Sequence, residues 1–175
     1  MQIDLSKRQR NIRRLLRPRH VCIVGGQAMA DAIRRADDTG FTGEIWVVNP
    51  KYAELGGRKC YASIADLPEA PDATFIAVPR EATIEIVRQL SARGAGGAIC
   101  YAAGYNEVGG EGVALQAELT AAAGDLAVVG PNCYGLLNFV DGICLWPTGA
   151  LGQKVESGCA LVMQSGNIAL NLSRN

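Results

Sequence analysis

Leu126-Ala127-Val128-Val129-Gly130-Pro131-Asn132-Cys133-Tyr134-Gly135 joins a short apolar run to a turn rich in glycine, proline and asparagine. Four apolar residues in a row suit a strand buried on both faces. Pro131 has no N–H to offer a neighbouring strand, and the glycines can take backbone angles closed to other residues. A buried strand therefore stops abruptly here and hands its last backbone groups to a shaped surface. Four earlier apolar runs end in the same manner. Residues 21–24 end at Gly25-Gly26, 44–48 at Asn49-Pro50-Lys51, 73–78 at Pro79-Arg80, and 97–102 at Gly104. In open α/β sheets, small ligands bind at such carboxyl ends of strands.

Helical periodicity fills the intervals. Residues 28–39 place Ala28, Ala32, Ile33 and Ala36 on one face, and residues 81–93 repeat Ile84, Val87 and Leu90 (with Ile86) until Gly94 closes the helix. Residues 111–123 read as a further helix. Continuous apolar strands alternating with helices predict an α/β fold: a doubly wound parallel sheet covered on both faces. Residues 52–71 read as irregular, apart from a helical turn near 64–67. The stretch 138–157, with Gly142, Pro147, Gly149 and Gly152, reads as a connector. A sixth apolar run, 158–163, predicts another strand ending at Gln164-Ser165-Gly166-Asn167, with a helix from Ile168. A lone strand and half a helix cannot bury their own apolar faces. The expected organisation is a lead-in helix over 1–19, one domain over 20–145, and over 146–175 a linker with the first strand and helix of a second, truncated domain.

The chain has 175 residues, formal net charge zero, 49% apolar and 19% charged residues. That is enough for one good core. No segment approaches the roughly 20 consecutive apolar residues of a membrane span. The polar, basic N-terminus lacks the apolar stretch of a secretory signal. None of the six cysteines (22, 60, 100, 133, 144 and 159) has a Cys-x-x-Cys partner. Most sit in apolar runs, where free cysteine behaves as a small hydrophobe, so a reducing cytoplasm is expected. Lys7, Arg8, Arg10, Arg13, Arg14, Arg17 and Arg19 face a single Asp4 in the first nineteen residues. However, Ile12, Leu15 and Leu16 recur at helical spacing until Pro18, and no aromatic side chains are interleaved for base stacking. The segment reads as a helix laid on the domain, and neither nucleic acid nor membrane is expected as a partner.

The strand ends carry the ligand chemistry. Gly25-Gly26-Gln27 before a helix offers bare amides to a phosphate. It is not a Gly-x-Gly-x-x-Gly fingerprint, since Ala28-Met29-Ala30 follow. A NAD site calls for an acid after the second strand, where Asn49, Pro50 and Lys51 stand instead. Lys51 suits a phosphorylated ribose, which ranks NADP or coenzyme A above NAD. Arg80 could fork a phosphate or merely begin a helix. Catalytic equipment is thin. His20, the only histidine, precedes the first strand, so no serine triad can be assembled at the strand ends. Cys133 has no evident base, and no metal cluster stands out. No catalytic residue and no metal site are expected.

Segments 47–52, 65–72 and 76–79, with Ala103-Gly104-Tyr105 and Gly130-Pro131-Asn132-Cys133-Tyr134-Gly135-Leu136, follow one another in an order that resembles a known family. It is the N-terminal coenzyme-A-binding domain of NDP-forming acyl-CoA synthetases: ADP-forming acetate–CoA ligases and the succinyl-CoA synthetase α subunit. The resemblance implies a Rossmann-like domain with coenzyme A across its strand ends, followed by the start of a flavodoxin-like domain. It would set Gly25, Gly26 and Gln27 at the phosphates and Asn49 and Lys51 at the nucleotide end. Val78, Pro79 and Arg80 would line the nucleotide or pantetheine. Ala102, Ala103 and Gly104 would flank the pantetheine arm, and Asn132 and Cys133 the thiol. ATP or ADP with Mg and a phosphohistidine would belong to a full-length parent, on a second domain and an ATP-grasp domain in cis or on a β subunit. The 175 residues alone would bind coenzyme A and not turn over, as part of a homo- or hetero-oligomer. The alternatives are a stand-alone coenzyme A or nucleotide sensor and an NADP-dependent oxidoreductase.

Overall fold

In β1 (His20–Gly25), Val21 and Ile23 point to one face of the sheet and Cys22 and Val24 to the other, and all four are buried. A strand apolar on both faces needs helices on both sides. The computed structural model, which describes residues 5–147 and 152–172, has them. β1 lies between parallel neighbours, β2 (Glu44–Val48) and β5 (Ala73–Ala77), with Ile23 opposite both Val47 and Phe75. Beyond β5 come β6 (Gly97–Cys100) and β7 (Ala127–Val129), both parallel. Beyond β2 lies β4 (Arg58–Tyr61), parallel, with β3 (Glu54–Leu55) antiparallel at the edge. The order β3-β4-β2-β1-β5-β6-β7 makes the parallel strands a doubly wound set whose direction reverses between β1 and β5. This is the α/β, Rossmann-like architecture expected.

One face is covered by α3 (Arg80–Arg93) and α4 (Glu111–Ala123) through Ile84, Val87, Leu90 and Leu119. α3 closes where Gly94 turns left-handed at φ 77°. The other face is covered by α1 (Leu5–Leu16), α2 (Ala30–Asp38) and the hairpin of β8 (Leu136–Asn138) with β9 (Ile143–Leu145). Leu15, Ile33, Ile143 and Leu145 fill that half of the core.

The basic lead-in is helical and ends before Pro18, but its buried face differs from the stripe of apolar residues. Ile12 and Leu16 are exposed, whereas Asn11 and Leu15 are buried. Asn11 Nδ2 donates to the Asp125 carbonyl at 2.8 Å, and Leu15 packs on Gly97 where a Cβ would meet it at 2.8 Å. Much of the basic charge is used within the molecule. Arg14 and Arg19 donate to the buried Asp72 carboxylate at 2.6 and 3.1 Å, Arg8 to the Gly124 carbonyl, and Arg17 to Asp141. Burial pushes the Asp72 carboxyl up, but the Arg14 guanidinium, the Arg19 amide and guanidinium, and His20 together hold it below the usual carboxylate range. His20 stacks on Trp46 at 4.6 Å, and its Nδ1 accepts from the Asp72 amide at 3.2 Å. This cluster sits at the amino ends of the strands.

Three segments depart from expectation. Residues 54–61, read as irregular, form the β3–β4 hairpin. The turn is Gly56-Gly57, with φ of 59° and 80°, the pair of left-handed residues that a two-residue hairpin requires. Residues 138–145, read as the start of a connector, belong to the β8–β9 hairpin. Residues 158–163 form no strand: Leu161 and Val162 are exposed, at 66% and 101%. An apolar run becomes a strand only where another strand accepts its hydrogen bonds, and no described residue does so here. After that run, α5 (Gly166–Leu172) forms as expected, with Gly166 against the Tyr134 ring.

Candidate functional site at the carboxyl ends of the strands

Parallel strands place all their carboxyl ends on one edge of the sheet, and the reversal between β1 and β5 is where open α/β sheets form a ligand crevice. At the end of β1, Gly25 is packed so closely that a Cβ would lie 2.6 Å from Met29 Cγ and 3.3 Å from the Ala77 carbonyl oxygen. Gly26 is the opposite case. It is extended, at φ −95° and ψ −161°, and nothing lies within 4 Å of where its Cβ would be. The chain then makes a 3₁₀ turn, Gln27–Met29, that runs straight into α2. The first N–H groups of such a start have no partner within the helix. Gln27 is exposed beside them.

At the end of β2, Asn49 spends its side chain on positioning. Its Nδ2 donates to the Gly25 carbonyl at 2.7 Å, and its Oδ1 accepts from the Lys51 amide at 2.8 Å. The first two strand ends are thereby tied together. Lys51 is exposed, and its ammonium forms no ion pair among the described residues.

At the end of β5, the buried Thr83 hydroxyl lies 3.1 Å from both the Val78 and Pro79 carbonyls and fixes the approach to α3. Val78 is half-buried and Pro79 exposed. Arg80 does not present an open fork. Its guanidinium donates to Glu81 at 2.8 Å, to the Gly104 carbonyl at 2.7 Å and to Glu111 at 3.2 Å. The Glu81 hydrogen bond is the main cause that raises the Arg80 guanidinium above its ordinary value. In this arrangement Arg80 clamps the next strand end to its own.

At the end of β6, Ala102 is half-buried and Ala103 exposed, and Gly104 turns left-handed at φ 97°. Glu107 accepts from the Gly104 and Tyr105 amides at 2.6 and 3.2 Å, and the Gly104 amide is the main group holding its carboxyl below the usual range. Tyr105 is fully buried, donates to the Arg80 carbonyl at 2.9 Å, and has its phenol pushed by burial up to about 12.

The turn after β7 is tied to the same loop. The Asn132 amide donates to the Ala102 carbonyl at 2.9 Å and the Cys133 amide to the Cys100 carbonyl at 3.3 Å. Gly130 has φ 103°, and a Cβ there would lie 2.7 Å from the Cys100 carbonyl oxygen. Cys133 is half-buried, and burial pushes its thiol up, so it is protonated at neutral pH. Asn132 is exposed at φ 55°.

The strand ends thus bring together Gly25, Gly26 and Gln27 with Asn49 and Lys51 on one flank, and Ala102, Ala103, Gly104, Asn132 and Cys133 on the other. Asn49 and Arg80 act on the protein rather than toward the crevice. Reading the sequence missed Thr83 and Glu107, which hold the loops, and Tyr101, 38% exposed beside them, and marked Tyr105 only as part of a motif, without its role in holding Arg80. Among the described residues no group of three or more His, Cys, Asp or Glu could hold a metal, and no helix is long and apolar enough to cross a membrane.

Residues 26–138 match the family described as a CoA binding domain. The chain is 42% identical over 141 residues to a trans-feruloyl-CoA synthase from an unknown prokaryotic organism, covering 77% of this chain and 20% of that protein. It is 34% identical over 130 residues to an ADP-forming acetate–CoA ligase of Archaeoglobus fulgidus, covering 71% and 19%. It spans about a fifth of the length of these curated relatives. Among solved structures, the apo acetyl-coenzyme A synthetase 1 of Ca. Korarchaeum cryptofilum superposes with a TM-score of 0.77 at 25% identity, over 93% of this chain and 36% of that one.

Proposed function

The chain belongs to the CoA binding domain family, and from that premise we propose that it holds coenzyme A along these five strand ends as the N-terminal part of an ADP-forming acid–CoA ligase. One observation carries the reading. The family match begins in the first strand-end loop and runs past the fifth, so it takes in every loop that faces the crevice.

The residues present suit the ligand. The open space at Gly26, beside unpaired amides at a helix start, admits a phosphate. Lys51 offers an unpaired cation to the 3′-phosphate of the nucleotide. Val78 and Pro79 give an apolar edge for adenosine or pantetheine, and Ala102, Ala103 and Gly104 leave room for the pantetheine arm. Asn132 and Cys133 flank the thiol, which coenzyme A supplies as the group to be acylated. The protonated Cys133 is a wall and not a nucleophile. Arg80 serves by holding the Gly104 loop, and Asn49 by fixing the Gly25–Lys51 corner.

The remaining chemistry is assigned to other parts of a parent assembly. Activation of the acid by ATP with Mg, through a phosphohistidine, would be supplied in cis or by a partner subunit. The relatives' names point to feruloyl-CoA and to acetate, so the resemblance alone does not choose the acid. A cytoplasmic setting fits the buried free thiols Cys22, Cys100 and Cys144.

Calorimetric titration of the chain with coenzyme A, 3′-dephospho-coenzyme A and NADP tests the reading. Saturable binding of coenzyme A, weaker for the dephospho form, is the expected result. Binding of NADP without binding of coenzyme A would refute it.

A further inference from the structure

Tyr101 follows β6 directly, at the edge where the strand ends converge. Its backbone lies between two hydrogen bonds from the turn after β7, Cys133 to the Cys100 carbonyl and Asn132 to the Ala102 carbonyl. Side chains alternate along β6, with Ile99 on the α1–α2 face of the sheet and Cys100 on the other. Tyr101 therefore shares the face of Ile99, and Cys133 packs against that same half of the core.

The ring is braced from two directions. It meets the fully buried Phe75 at 6.0 Å, and Tyr134 stands edge-on to it at 6.1 Å and 88°. Tyr134 in turn rests on the buried Trp146 at 5.5 Å. Four rings thus form a row anchored at both ends by the buried Phe75 and Trp146, and within it Tyr101 is 38% exposed. The Tyr101 hydroxyl makes no hydrogen bond among the described residues. A ring fixed in this way offers its free surface to another ring at little cost in side-chain entropy.

We propose that Tyr101, braced by Phe75 and Tyr134, is the wall against which the acyl group of a coenzyme A thioester lies, and that it selects planar aromatic acyl groups over aliphatic ones. The proposal rests on the reading of the crevice as a coenzyme A site, with the thiol beside Asn132 and Cys133. An acyl group on that thiol extends beyond the Asn132–Cys133 turn, and Tyr101 is the exposed ring hydrogen-bonded through its neighbours to that turn. Tyr101 is here a specificity-determining residue, with no part in bond making.

Titration of the chain with coenzyme A, hexanoyl-CoA and benzoyl-CoA separates the claims. Benzoyl-CoA should bind about 2- to 10-fold more tightly than hexanoyl-CoA of similar size, the range of a well-placed ring pair. Y101L should abolish that ratio while leaving the affinity for free coenzyme A within about 2-fold, and Y101F should keep it. Equal affinities for the two thioesters in the unmodified chain would overturn the proposal, as would a preference that survives Y101L. Failure of free coenzyme A to bind would instead overturn the function itself, and the proposal with it.

Discussion

Gly26→Val separates binding from folding, because the structure gives opposite answers for the two. The backbone at Gly26 is extended at a negative φ that any residue adopts, and no atom lies within 4 Å of a Cβ built there. A Cβ there adds neither backbone strain nor a clash, and loss of glycine freedom in the unfolded chain favours the fold by up to about 1 kcal/mol. The space it fills is the space through which a phosphate reaches the Gln27 and Ala28 amides, since the Met29 amide donates to the Gly26 carbonyl. A hydrogen bond from an amide to a charged oxygen contributes about 1.5–3 kcal/mol, so excluding one contact weakens coenzyme A by roughly 10- to 150-fold. Urea unfolding of both proteins and calorimetric titration of each with coenzyme A supply the two readouts. Unchanged affinity in a folded Gly26→Val protein would refute the assignment of the phosphates to this loop. A stability loss beyond about 1 kcal/mol would refute the statement that the space is open. Gly25→Val is the control in the other direction: its Cβ meets Met29 and the Ala77 carbonyl, so that change lowers stability whether or not ligand is present.

Lys51→Glu replaces an exposed, unpaired cation with an anion. It should weaken coenzyme A by about 5-fold or more and its 3′-dephospho form by much less, with the difference shrinking as salt is raised. Equal losses for the two ligands would remove Lys51 from the 3′-phosphate. Asp72→Asn should lower stability in urea by about 2 to 3 kcal/mol at neutral pH, since it strips a buried carboxylate from Arg14, the Arg19 amide and the Arg19 side chain. The folded pKa of Asp72 lies below its unfolded value, so its contribution is complete above the unfolded pKa and is lost as pH falls through the folded one. Unmodified protein should therefore lose more stability than Asp72→Asn between about pH 5 and pH 3, and parallel curves for the two would refute that role.

Much of the fold and the outline of the site were legible because they rest on local rules. Apolar runs buried on both faces, helices between them and turn residues at each strand end are written in the order of residues. What was not legible depends on partners distant in the chain. Arg58-Lys59-Cys60-Tyr61 has too little apolar character to announce a sheet strand, and only its pairing of Cys60 with Val47 and Tyr61 with Val48 makes it one. The Gly56-Gly57 pair was the available signal for that hairpin. Conversely, residues 158–163 have strand character and no strand to join among the described residues.

The same distinction governs the site. The sequence marks which loops face the crevice but not which side chains are free to act there. Asn49 and Arg80 have the donor groups of ligand-binding residues, yet in the fold those donors meet Gly25, Gly104, Glu81 and Glu111. A donor already satisfied by its own protein must break that bond before it gains a phosphate, which leaves little net attraction. Gly26 and Lys51, which lack such commitments, are consequently the better places to look for affinity. Asn49 and Arg80 are the places to look for loss of shape: removing Arg80 should weaken coenzyme A by loosening the Gly104 loop, with no difference between the phosphorylated and dephosphorylated ligand. That pattern, set against the discriminating loss at Lys51, distinguishes a residue that binds from one that holds another in place.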